Sequence, residues 1–259
     1  MEINQAFTIL QNAGGIRAAR VITENTKKLS RFRVWKISRQ LRRGVPVAKI
    51  IGQKWFYGLR FYTNKHTLDP RPDTETLVAA VIADCGADSG VPRILDLGTG
   101  TGCIIGSIAK NIPGATGAGI DRSRGAVRVA RRNIRNLGLG ARVQILRARF
   151  DNPRAVAKHG FNIIVSNPPY IAAGDARVDA GAIHDPKMAL YAARGGLAAY
   201  DTIAENAREW ITRGGKIYLE IGAGQTDAVR DIFTRAGWNF VRCARDLGGI
   251  ERVLIFQKN

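Results

Sequence analysis

Cysteine is scarce in this chain: Cys85, Cys103 and Cys243 are the three present in 259 residues. They form no C-x-x-C pair, and an odd number does not make a disulfide framework. Histidine is equally rare. His66, His159 and His184 lie far from one another and from the cysteines, so no metal-ligand spacing exists and no zinc site is expected. Long apolar runs are missing too, which excludes a membrane-spanning helix. The opening MEINQAF has neither the basic region nor the apolar core of a secretory signal. Internal repeats and low-complexity tracts are absent. The expectation is a cytoplasmic protein of a reducing compartment, with no metal and no membrane contact.

Acidic residues are few: 21 against 40 lysines and arginines, a net charge of +19. Such an excess fits contact with RNA, the ribosome or another polyanion. It equally fits a genome that writes arginine wherever a solvated cation is tolerated. The basic residues run from Arg17 to Arg252 without a single block, which leaves both explanations open. Apolar content of 45% and charged content of 24% are ordinary for a globular chain, and the length suits one large domain with a small appendage.

What the chain does have is a conspicuous stretch at residues 93–106, RILDLGTGTGCIIG. A short apolar strand around Asp96 leads into a loop with Gly98, Gly100 and Gly102, then into a helix-compatible run. Strand, glycine loop and helix N-terminus together let backbone approach a ligand closely. The dinucleotide fingerprint needs a glycine three residues after its second one. Those positions are Cys103 and Ile105 in the two possible registers, so that reading fails. An acidic strand end followed by G-x-G-x-G instead resembles the S-adenosylmethionine loop of class I methyltransferases. On that resemblance Asp96 is expected to face the cofactor's ammonium, directly or through water.

Residues 1–43 are basic, with loosely helical apolar spacing (Val21, Ile22, Leu29, Phe32, Val34, Trp35, Leu41) interrupted at Gly14-Gly15. They read as two or three short helices forming a small N-terminal domain. In 44–69, β-formers on either side of Gly58 read as a linking hairpin. Asp69-Pro70-Arg71-Pro72-Asp73-Thr74-Glu75 stiffens the chain and starts a helix to about residue 83, with Asp73 or Thr74 as N-cap. From 70 to 259 strands and helices alternate. Strands are expected at 93–97, 115–120, 142–146, 161–166, 216–221, 239–244 and 252–257, and helices at 123–137, 197–211 and 227–236. The fold class is α/β: a doubly wound, mostly parallel seven-stranded sheet, with ligands at the carboxyl ends of the strands.

Two features after the glycine loop carry chemistry. Asp121 ends the second strand, where a carboxylate can accept from ribose hydroxyls; as an alternative it simply opens a helix through Asp121-Arg122-Ser123. Asn167-Pro168-Pro169-Tyr170 follows the fourth strand. Its prolines fix the backbone and remove N–H donors. The Asn167 side-chain oxygen and the Pro168 carbonyl can then both accept from one planar –NH2 group, with the Tyr170 ring beneath. This pattern points to methylation of a planar nitrogen and is silent on whose nitrogen it is.

Taken together, RPDTE (71–75), DLGTGTG (96–102), NPPY (167–170) and LEIGAGQ (219–225) stand in the order seen in the glutamine methyltransferases of peptide chain release factors. PVAKIIGQKWFYGLRF (46–61), ALYAARGGLAAY (189–200) and ERVLIF (251–256) are similar as well, so the resemblance covers residue 44 to the end. It implies transfer of a methyl group from S-adenosylmethionine to the N5 amide nitrogen of the glutamine in a release factor's Gly-Gly-Gln motif. It also implies that Gly98, Thr99, Gly100, Thr101, Gly102, Asp121, Phe150 and Asn167 bind the cofactor. Asn167, Pro168 and Tyr170 would be catalytic and, with Pro169, would hold the glutamine; Arg71 and Glu75 would shape the site around both.

The chain departs from that pattern at Arg149, where an acid usually precedes the aromatic residue, at His184-Asp185-Pro186, and at Lys49 in place of a tyrosine. Its N-terminal helical part is also shorter. The expected partner is a release factor, with nonspecific RNA or ribosome contact through the basic surface and a monomeric chain. The alternatives are methylation of an exocyclic amine of a base in RNA or DNA, by the same NPPY logic, and a noncatalytic docking module.

Overall fold

The computed structural model describes the whole chain except residues 27, 87–89, 153–155, 157–159, 173 and 176–179. His159 therefore lies outside the described residues. Helix α1 (Ile3–Asn25) is broken at Gly15, whose φ of 84° is not helical; the Gly14-Gly15 interruption is real. Helix α2 (Arg31–Arg42) begins at Ser30, whose hydroxyl accepts from the Arg33 amide. Ala6, Leu10, Ala19 and Ile22 of α1 pack on Val34 and Ile37 of α2 in a core separate from the rest of the protein. A single turn, α3 (Val47–Ile51), leads into the hairpin β1 (Gln53–Phe56) and β2 (Leu59–Tyr62). The connecting Tyr57 and Gly58 both have positive φ, 48° and 71°, the geometry of a two-residue hairpin turn whose twist matches its strands.

Helix α4 (Glu75–Asp84) precedes the main sheet. The sheet starts with β3 (Arg93–Leu97), α5 (Cys103–Asn111), β4 (Thr116–Asp121), α6 (Arg124–Asn136), β5 (Val143–Arg147) and β6 (Phe161–Ser166). A long strap follows, tied by the parallel bridge of β7 (Ile171–Ala172) to β8 (Tyr191–Ala192). Then come α7 (Ala198–Asn206), β9 (Ile211–Glu220), α8 (Thr226–Arg235), β10 (Trp238–Arg245) and β11 (Glu251–Lys258). Among the described residues the seven strands lie in the order β10-β11-β9-β6-β3-β4-β5; β11 runs antiparallel to both of its neighbours, and the other pairs are parallel.

Elements fall where the periodicity puts them, with two shifts at one junction. The helix expected over 197–211 stops at Asn206 and tightens into a 3-10 turn, Ala207–Glu209. Strand β9 starts at Ile211 rather than 216, because a register shift opposite Phe161 and Ile163 absorbs Gly214-Gly215.

Helices cover both faces of the sheet. Ile104, Ile105, Val127 and Ile134 from α5 and α6 share one core with Leu77 and Val78 of α4. Tyr200, Ile203 and Phe233 from α7 and α8 share the other with Trp210 and Trp238. The strand order reverses between β3 and β6, and loops at such a switch point open into a crevice. The glycine loop and the NPPY tetrad leave these two adjacent strands. Ser166 Oγ at the end of β6 donates to the Leu97 carbonyl at the end of β3, 2.8 Å away, which fixes the two exits against each other.

Candidate active site

Gly98, Gly100 and Gly102 all adopt positive φ (74°, 55° and 77°), which disfavours side chains there. A Cβ on Gly98 would meet no protein atom within 4 Å, so that face of the loop is open to a ligand. The amides of Gly98 and Thr99 both donate to the Ile120 carbonyl at 2.9 Å. Asp121 braces the loop from the next strand: its Oδ2 accepts from the Gly100 amide at 3.0 Å and its Oδ1 from the Ser123 amide at 2.8 Å. The Asp-Arg-Ser turn and the loop-facing role are thus one arrangement, and burial raises the Asp121 pKa.

Asp96 makes no direct part of the cavity wall. It is fully buried beneath the loop. Its Oδ2 accepts from Thr99 Oγ1 at 2.6 Å, so it anchors the loop from behind. Burial is the main reason its carboxyl is pushed up to about 7.

Two cavities flank the NPPY tetrad. The first is walled by Gly98 to Thr101, Asp121 and Phe150, together with Asn167, Pro168 and Pro169. The second is walled by Pro168 and Tyr170 with Asp73, Glu220, Gln225 and Arg252. Asn167 and Pro168 line both, as do Leu68, Arg71 and Ala189. A group in one cavity therefore meets a group in the other across Asn167 and Pro168. Gly102, at the start of α5, packs against Ala130 rather than the cavity.

Arg149 and Asp151 sit at the rim of the first cavity and form an ion pair. The cation that stands in an acid's usual place thus carries its own counterion two residues on.

Glu75 lies outside both cavity walls. Its Oε1 accepts from the Tyr57 amide at 2.7 Å, at the positive-φ corner of the hairpin, so it ties the hairpin to α4 instead of shaping the ligand site. Thr74 holds the N-cap position of α4, as expected, but its side chain makes no cap hydrogen bond; its hydroxyl accepts from Asn167 Nδ2 at 3.1 Å. Arg71 lines both cavities and pairs with Asp185 at 2.9 Å.

Several residues not anticipated from the sequence hold this geometry. Asn133 of α6, almost fully buried, exchanges hydrogen bonds with the Tyr62 backbone and donates to the Thr101 carbonyl, joining hairpin and glycine loop. Gln225 Nε2 donates to the Tyr170 carbonyl while its Oε1 accepts from the Gly222 amide, both at 3.0 Å. Glu220, at the end of β9, is buried against Tyr170, and burial pushes its carboxyl up to about 7. The signal for the last two was the quoted LEIGAGQ string, to which no role had been attached.

Residues 74–222 match the family model described as Methyltransferase small domain. A methyltransferase from Pyrococcus furiosus shares the fold, with a TM-score of 0.53 at 18% identity, over 71% of this chain and 83% of that one. Strand order, glycine loop and switch-point cavity define a class I methyltransferase, the fold that works with S-adenosylmethionine.

The particular family follows from closer relatives. The release factor glutamine methyltransferase of Caulobacter vibrioides is 35% identical over 259 residues, 98% of this chain and 89% of that protein. A bifunctional methyltransferase of Rickettsia felis is 38% identical over 240 residues; the match covers 82% of this chain and about half, 45%, of that longer protein. The chain belongs to the release factor glutamine methyltransferase family.

Proposed function

We propose that this protein methylates the N5 amide nitrogen of the glutamine in the Gly-Gly-Gln motif of a bacterial-type release factor, acting as a monomer in the cytoplasm. The observation that carries the reading is the shared wall: Asn167 and Pro168 stand between a glycine-loop cavity and a second cavity backed by Tyr170. The first cavity suits S-adenosylmethionine. Its glycine floor has room that a Cβ would fill, Asp121 offers carboxylate oxygens beside the loop, and Phe150 offers a flat apolar surface. When bound, S-adenosylmethionine supplies an electrophilic methyl group.

This chain's own residues hold the acceptor. An amide nitrogen is a weak nucleophile because its lone pair is delocalised, and His66 and Cys103, which line the first cavity, are not among the residues that line the second. Positioning therefore has to carry the rate, and can contribute roughly 7–11 kcal/mol when reacting atoms are held in a near-attack arrangement. The Asn167 side-chain oxygen and the Pro168 carbonyl accept the two amide hydrogens and stabilise positive charge on the nitrogen. Tyr170 supports the amide plane. Arg71, at the junction of the cavities, orients both ligands. Residues 1–43 and 44–69 serve in this reading as a docking module and its link to the catalytic domain, 70–259.

The basic surface is assigned to nonspecific RNA or ribosome contact. Its best-formed part is α2, where Phe32 and Trp35, 72% and 56% exposed, stack at 6.0 Å and Arg39 lies over the Trp35 ring. Exposed aromatics beside arginines are the groups that stack bases and meet phosphates.

The test is transfer of labelled methyl from S-adenosylmethionine to a purified release factor, beside the same factor with the Gly-Gly-Gln glutamine changed to alanine and beside total RNA. Label on the unaltered factor alone supports the reading. Label on RNA with the factor untouched means that residues 167–170 hold a base.

A further inference from the structure

We propose that His66 is a cofactor-binding residue, its imidazole supplying a hydrogen-bond donor to the ribose hydroxyls of S-adenosylmethionine beside Asp121; this rests on the reading of the first cavity as the cofactor site. The need is chemical. A ribose hydroxyl both donates and accepts, whereas a carboxylate only accepts. Asp121 can take the hydroxyl protons but leaves the hydroxyl oxygens without a donor. The two backbone amides nearest its carboxylate, Gly100 and Ser123, already donate to Asp121 itself, so the donor has to come from a side chain.

The sequence builds a rigid mount for one. Asn64-Lys65-His66-Thr67 forms a turn in which the Thr67 amide donates to the Asn64 carbonyl at 3.2 Å. The His66 amide donates to Asn64 Oδ1 at 2.9 Å, the local bond by which asparagine fixes such a turn. Lys49, buried below, donates to the carbonyls at both ends of it, Asn64 and Thr67. The turn therefore holds its shape before any ligand arrives, with His66 exposed between buried anchors.

The side chain is seated as well. It stands on the first turn of α6, where Gly125 leaves room: a Cβ there would lie 2.5 Å from His66 Cγ and 2.7 Å from His66 Cβ. Glycine is a poor helix former, and this contact is the reason for its place in α6. His66 lines the first cavity together with Asp121, Arg122, Ser123 and Ala126, so ring and carboxylate share one wall. Among the described residues His66 bonds through its backbone amide and neither ring nitrogen has a hydrogen-bond partner. Two other side-chain donors stand beside Asp121. Ser123 is oriented by capping α6, its oxygen accepting from the Ala126 amide at 3.3 Å. Arg122 is a long, exposed chain, which loses more freedom in being fixed than a ring already in its seat.

The experiment is calorimetric binding of S-adenosylhomocysteine, and of its 2′-deoxy and 3′-deoxy analogues, to the full chain and to H66F, H66A, G125A and the H66A/G125A pair. H66F keeps a ring over Gly125 and removes its nitrogens. It should weaken S-adenosylhomocysteine about 5-fold to 10-fold, the scale of one hydrogen bond, with an unliganded melting temperature close to wild type. The wild type should lose a like factor when one of the two hydroxyls is missing, and on that analogue H66F should lose nothing more. G125A displaces the ring, so it should weaken binding while His66 is present and add nothing to H66A. H66F binding within about twofold of wild type, less than one hydrogen bond contributes, would overturn the inference. So would an H66F penalty that is unchanged on both deoxy analogues, since the ring would then act away from the ribose. A wild type that binds no S-adenosylhomocysteine overturns the cofactor reading of the cavity and the inference with it, so the two failures are distinct.

Discussion

Lys49 Nζ lies 2.9 Å from Asp185 Oδ1, 136 positions apart in sequence, and both side chains are buried, 6% and 1% exposed. These are two of the places where the sequence departs from its family's pattern, and the structure puts them in contact. The ammonium also reaches Asp69 at 2.8 Å, the Thr63 hydroxyl and the Asn64 and Thr67 carbonyls. Asp185 in turn holds Arg71. One cation thus joins the segment before the hairpin, the loop leading to RPDTE and the strap over the site.

Removing only the cation should be severe. K49A takes the ammonium from buried Asp69 and leaves Asp185 with Arg71 alone, and breaking a buried pair this way costs about 3–5 kcal/mol. Urea unfolding should show that loss. D185N, which keeps the shape and removes one charge, should destabilise less but weaken the hold on Arg71 at the junction of the cavities, so its methyl-transfer rate should fall more than its stability. An unchanged midpoint for K49A would mean that water, not Lys49, compensates the two acids.

Asn167→Ala addresses the chemistry directly. It removes one of two acceptors for the substrate amide, and loss of one such preorganised group costs about 100-fold to 1000-fold in turnover. Cofactor affinity, measured by calorimetry, should change far less, because the glycine loop and Asp121 are untouched. Equal losses in both would assign Asn167 to cofactor binding alone.

Gly196 gives a reason for the glycines of ALYAARGGLAAY. Its φ is +93°, and an added Cβ would lie 2.1 Å from the Tyr170 carbonyl oxygen, an impossible contact with backbone. G196A should therefore push the NPPY segment out of place and break the Gln225 clamp on that same carbonyl. Turnover should drop about 100-fold, the effect of misplacing a reacting group by an ångström, while cofactor binding persists. Q225A should show a milder form of the same pattern.

Such contacts mark the limit of what was legible in the sequence. Strand and helix positions, the seven-stranded sheet and the adjacency of glycine loop and NPPY could be read, because each rests on periodicity or on a local motif. Glu75 was misplaced for a physical reason: an acid in a first helical turn near a ligand motif gives no hint that it will reach a hairpin amide at Tyr57. Thr74 suits an N-cap by type and position, and its pairing with Asn167 spans 93 residues. Asp96 at a strand end suggested a ligand contact, but only the sheet register, with Gly119 and Val165 on either side, shows that it is buried. Side-chain pairings between distant segments leave no periodic trace.

The buried carboxyls set the protein's response to pH. Asp96 has an ordinary value of 3.8 and stands at about 7 in the fold, and burial is the largest cause. Between those values the folded chain keeps a proton that the unfolded chain has lost, so stability falls as pH rises through that window and levels off above it. Glu220, raised from 4.5 to about 7, adds a contribution of the same sign. A pKa displaced by one pH unit corresponds to about 1.4 kcal/mol, so the two together should make the wild-type melting temperature drop measurably between about pH 5 and about pH 8. D96N should reduce that slope, because an amide keeps an acceptor for Thr99 without a charge to bury, and E220Q should reduce it further. Added S-adenosylmethionine should raise the melting temperature of both variants, since neither residue belongs to the wall of the first cavity. A wild-type melting temperature that climbs across this range would show that the ionised forms are the better solvated ones in the fold, and that Asp96 finds a partner for its second oxygen.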